Sequence, residues 1–74
     1  MKGLFVDTAG WMACADGADP VHLRARTARD RALEDGLTLV TTDFVVDETL
    51  TLLRVRLGAP AVERWWSQVD RSAR

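Results

Sequence analysis

The 74-residue sequence is short of several residue types: one cysteine, one histidine, two prolines and no tyrosine. A lone Cys14 excludes an internal disulfide framework, and lying among Trp11, Met12, Ala13 and Ala15 it reads as a small core residue rather than a nucleophile. His22, with no second His and no Cys at ligand spacing, reads as a surface histidine rather than part of a metal centre. No apolar run is long enough to span a membrane and no secretory leader pattern is present, so the expected compartment is a reducing cytoplasm. Neither a low-complexity tract nor a linker-like change of composition interrupts the chain, so residues 1–74 are expected to form one domain.

What is present is globular in character, with 47% hydrophobic and 28% charged residues. A net charge of −1 carries no signal for nucleic acid in the total. The charges are uneven, however: Arg24, Arg26, Arg29 and Arg31 crowd one segment, and Arg54, Arg56, Arg64, Arg71 and Arg74 lie in the C-terminal half. Such arginines usually form solvated helix faces, so this pattern permits an RNA partner without indicating one.

Leu4-Phe5-Val6-Asp7-Thr8 is an apolar run ending on a carboxylate and a hydroxyl, and it predicts a buried strand of a parallel sheet that delivers Asp7 at its carboxyl end. Open α/β sheets place their ligand sites there. A short helix over Ala9–Ala15 follows, then Asp19-Pro20 as N-cap and first helical residue of a second helix that closes at Asp35-Gly36. Val21, Ala25, Ala28 and Ala32 give that helix a narrow stripe of small core-facing residues. Leu37-Thr38-Leu39-Val40-Thr41 is the second strand, and strand, helix, strand in this order implies a parallel pair with a right-handed crossover.

Thr42 is placed to cap a third helix from Asp43 to Leu57, stopped by Gly58. Its apolar residues surround all but a wedge of Asp43, Asp47, Thr51 and Arg54, so the helix is expected to be largely buried, carrying Glu48 inward between Phe44 and Leu52. Pro60 opens a fourth, amphipathic helix with Ala61, Val62, Trp65, Trp66 and Val69 on its apolar side, the two Trp residues reading as core or interface.

A carboxylate at a buried strand end and another on an apolar helix face each require a partner. An Arg or Lys would serve, although Arg54 and Arg56 lie on other faces of the helix that bears Glu48. The functional alternative is a shared hard cation, Mg²⁺ or Mn²⁺, held through oxygen and activating water against a phosphodiester, with Thr8 hydrogen-bonding beside it.

At these residues the sequence resembles a known family. Phe5-Val6-Asp7-Thr8-Ala9-Gly10-Trp11, Asp19-Pro20 with His22 and Ala25, Leu39 through Leu50, and Leu53-Arg54-Val55-Arg56-Leu57-Gly58 look like the N-terminal half of a PIN domain of the VapC type of toxin ribonuclease. The resemblance covers essentially the whole chain. It implies an α/β, PIN-like three-layer fold with a parallel sheet, here two strands and about four helices, ending before the family's C-terminal half. It also implies a Mg²⁺- or Mn²⁺-dependent endoribonuclease of a toxin-antitoxin system, with Asp7 and Glu48 as catalytic and metal-binding acids and Thr8 supporting them. RNA is the implied substrate, an antitoxin protein the implied partner, and a homo-oligomer the expected state. Asp43 receives no catalytic role. Two other readings stay open: an inactive PIN-like binding module that depends on self-association or an antitoxin-like partner, and a metal-binding fragment acting on a small phosphate ester.

Overall fold

Two helix stops and two hydroxyl or carboxylate caps divide the chain into six elements. The computed structural model describes residues 2–72, in the order β1 (Gly3–Phe5), α1 (Thr8–Ala15), α2 (His22–Glu34), β2 (Thr38–Val40), α3 (Asp43–Leu57) and α4 (Ala59–Ser72). β1 and β2 pair in parallel with Leu4 opposite Leu39, and the ladder runs on through Val6 N–H to the Val40 carbonyl at 2.9 Å. The fold is therefore mixed α/β with a two-stranded parallel sheet and four helices, as the sequence predicts.

α3 has the bounds expected of it because both ends are encoded locally. Thr42 Oγ1 accepts the Val45 N–H at 3.2 Å, satisfying a donor that the first turn would otherwise orphan. At the other end Gly58 has φ 87° and ψ 175°, a conformation essentially confined to glycine, and its N–H closes onto the Leu53 carbonyl. α2 starts later than expected. Asp19 Oδ1 accepts from Val21 N and the Asp19 carbonyl from His22 N, so Asp19-Pro20 forms a turn ahead of the helix rather than its cap.

α1 packs against α2 and α3, and α3 against α4. Trp11, Met12, Ala32, Leu39, Val45, Leu53, Trp65 and Val69 form the core, with Trp11 and Trp65 edge to face at a centroid distance of 5.5 Å. Each fully buried aliphatic among them contributes about 1.5–3 kcal/mol. On α3 the buried residues are Val45, Thr49 and Leu53, on α4 Ala61, Trp65 and Val69, each set spaced four apart along one stripe.

Three expectations of burial fail, for one reason. β1 is exposed, with Phe5 at 54%, because two strands offer two faces and two edges and the described helices do not cover them all. In α3, Phe44 is 75% and Val55 77% exposed, since helix neighbours occupy one stripe rather than most of the circumference. Glu48 is exposed with them. The α2 stripe is also partial: Ala32 is buried and Ala25 half-buried, while Val21 and Ala28 are exposed.

Candidate functional site

The chain leaves β1 at Phe5 and β2 at Val40 side by side, and both exits turn directly into helices. Asp7 is the N-cap of α1: its backbone is extended and its Oδ1 accepts the Gly10 N–H at 2.8 Å. One carboxylate oxygen is thereby committed to the helix terminus, and the other has no partner among the described residues. Thr8, the first residue of α1, donates its hydroxyl to Glu48 Oε1 at 2.5 Å, across forty positions of sequence. This contact joins the start of α1 to the second turn of α3, and brings Glu48 to the helix end that Asp7 caps. Among the described residues neither acid forms an ion pair, so the arginine-partner explanation does not apply to them there.

Thr41 completes the junction and was not singled out by the sequence. Its Oγ1 accepts from Trp11 Nε1 and donates to the Val6 carbonyl, both at 3.3 Å, tying the exits of both strands to α1. A Thr-Thr pair before a helix signals one cap; that the other hydroxyl bridges two strands depends on their pairing. Asp43 lies exposed in the first turn of α3, beside Asp47 and Thr38 around a separate depression. His22 Nδ1–H donates to the Ala13 carbonyl at 2.7 Å, fastening α2 to α1. Burial is the largest influence on Cys14 and pushes its thiol up from 9.0, opposed by the nearby Arg29 and Arg26 guanidiniums.

Asp7 and Glu48 are hard oxygen donors, the ligand type that Mg²⁺ and Mn²⁺ select. Each has one oxygen engaged by a hydrogen bond and one open, so the pair fits an ion that retains much of its water. Among the described residues no group of three or more His, Cys, Asp or Glu side chains gathers to hold a metal.

A parallel strand pair whose carboxyl ends feed two capped helices, one capped by an acid and the other bearing one in its second turn, defines the class: an α/β fold with its polar site at the strand ends. Within that class the chain has a VapC-type PIN fold. It is similar to the crystal structure of VapC20 from Mycobacterium tuberculosis, a toxin that cleaves the sarcin-ricin loop, with 30% sequence identity and a TM-score of 0.71. The match covers 95% of this chain and 52% of that one, so the chain spans about half the length of the relative. No protein-family model matches the sequence, and no curated protein does.

Proposed function

We propose that this chain carries part of the active site of a metal-dependent endoribonuclease toxin of a toxin-antitoxin system. The observation that supports it is the likeness to a sarcin-ricin-loop-cleaving toxin over nearly the whole chain. RNA is the substrate, an antitoxin protein the partner, and the cytoplasm the compartment. Among the described residues no helix is long and apolar enough to cross a membrane. Residues 1–74 form one PIN-like unit that self-associates, the exposed Phe5, Phe44 and Val55 supplying apolar surface for contact.

Asp7 and Glu48 would hold Mg²⁺ or Mn²⁺, and Thr8 would orient the Glu48 carboxylate through its hydroxyl. The ion, when bound, supplies Lewis-acid activation of water for attack on the phosphodiester. Capping by Asp7 confines its carboxylate to one geometry, and the Thr8 contact does the same for Glu48, so less side-chain freedom is lost on loading. The test is Glu48→Gln, assayed for Mn²⁺ binding by calorimetry and for cleavage of a sarcin-ricin-loop oligonucleotide. Loss of both is expected; a variant that binds and cleaves like the parent refutes the assignment.

A second reading is favoured because, among the described residues, no three His, Cys, Asp or Glu side chains gather as a metal-holding group. The chain would then be an inactive binding module, dependent on self-association or an antitoxin-like partner. Parent protein that binds its partner but leaves RNA intact at saturating Mn²⁺ would establish that reading over the first.

A further inference from the structure

Strand β1 ends the sheet on one side, and its free edge is unguarded. The Thr38 N–H donates to the Lys2 carbonyl and the Val6 N–H to the Val40 carbonyl. Alternation along this parallel ladder therefore turns the N–H and C=O of Leu4 toward β2 and those of Gly3 and Phe5 away from it. The outward groups have no hydrogen-bond partner among the described residues, and Gly3, Leu4 and Phe5 are all exposed. Natural edges are blunted by charge, proline, a bulge or a covering element. From Gly3 to Val6 this edge has no charge and no proline, and its register with β2 runs without a bulge.

A separate observation concerns one face of the sheet. Phe5 and Val40 are register partners there, 54% and 42% exposed. Gly3 shares that face and is bare by necessity, since a Cβ on it would come within 2.8 Å of Val40 Cγ2. The strand thus carries an uncovered ring at Phe5 and no side chain at Gly3, two positions earlier.

We infer that β1 pairs edge to edge with β1 of a second copy of this chain, antiparallel about a twofold axis at Leu4. The sheet then runs β2, β1, the partner's β1, the partner's β2. In that register Gly3 and the partner's Phe5 exchange both main-chain hydrogen bonds, and Phe5 does the same with the partner's Gly3. The partner's Phe5 ring lies over Gly3 and against Val40, an aromatic side chain covering a glycine across strands. Leu4 meets the partner's Leu4 on the opposite face. Lys2, before the strand, is carried toward the partner's end that bears Asp7, so the run complements its own reverse in charge as well. Such a contact is isologous and closes as a dimer. It deepens the self-association proposed above and rests on it, not on the ribonuclease reading.

The test follows the protein by sedimentation equilibrium and by amide hydrogen exchange over a wide concentration range. A dimer is expected at high concentration, with the Gly3 and Phe5 amides gaining protection as it forms. The Leu4 and Val6 amides, already turned to β2, should change least. Phe5→Lys should weaken dimerisation about tenfold or more, because it withdraws a large apolar group and sets a charge on the edge. Phe5→Leu should retain part of the association, and Phe44→Ser, on α3, should associate like the parent. A monomer at every concentration overturns this inference and self-association together. A dimer that Phe5→Lys leaves unweakened, or whose Gly3 and Phe5 amides exchange as fast as in the monomer, overturns this inference alone and places self-association on another surface. Protection of both amides in a monomer also overturns it, since a different strand then fills the edge. Phe5 is more than half exposed, so its variants should fold, and an unchanged melt of the dilute protein verifies it.

Discussion

Asp7 carries two tasks that substitution can separate. As the cap of α1 it needs an acceptor atom at the position of Oδ1, whereas as a metal ligand it needs a negative charge. Asn retains the acceptor and drops the charge; Ala removes both. Asn and Asp rank together as N-caps, so Asp7→Asn should hold the stability of the metal-free chain within about 0.5 kcal/mol, while Asp7→Ala should lose ~1 kcal/mol. For a domain of this size ~1 kcal/mol corresponds to about 4–8 °C in melting temperature, well within reach of circular dichroism. Added Mn²⁺ then reads the second task. At a hundred times its dissociation constant a ligand stabilises the fold by ~2.7 kcal/mol, so the parent should melt higher with metal and neither variant should. An Asn variant that keeps the full Mn²⁺ shift would show that Asp7 does not hold the ion. An Ala variant that melts with the parent in EDTA would show that the cap contributes nothing.

Two further outcomes follow from local geometry. Gly58→Ala should destabilise by about 1–3 kcal/mol, because φ 87° with ψ 175° strains any residue bearing a Cβ; a chemical denaturation midpoint equal to the parent's would contradict this. Cys14, whose thiol is raised from 9.0 by burial, binds its proton more tightly in the folded than in the unfolded chain. Its contribution is therefore complete below the unfolded value and is lost as pH climbs through the raised one, so stability should fall above about pH 9 and Cys14→Ala should flatten that fall. Identical slopes for parent and variant would refute the assignment.

Those predictions lean on features of unequal legibility. Thr42, Gly58 and the intervening apolar residues delimit α3 because capping acts between residues three to five positions apart, and such signals are complete within the sequence window. Asp7 and Thr8 were likewise conspicuous as polar residues ending an apolar run. Their partners were not, since Thr8 meets Glu48 only after β1 and β2 have paired and α1 has docked on α3. The Asp19-Pro20 signal failed because the turn satisfied its own donors before the helix began.

By itself the sequence determined the order of the elements, the ends of α3, the parallel relation of the strands and the two acids to watch, all from periodicity and short-range hydrogen-bond chemistry. Tertiary structure alone decided how much of each apolar face is covered, because burial depends on which neighbours arrive and not on the hydrophobicity of the segment. It exposed Phe5, Phe44 and Glu48 where pattern reading buried them. Packing also gathered Arg26 and Arg64 around one depression, although nearly forty residues separate them, a distance no local pattern spans.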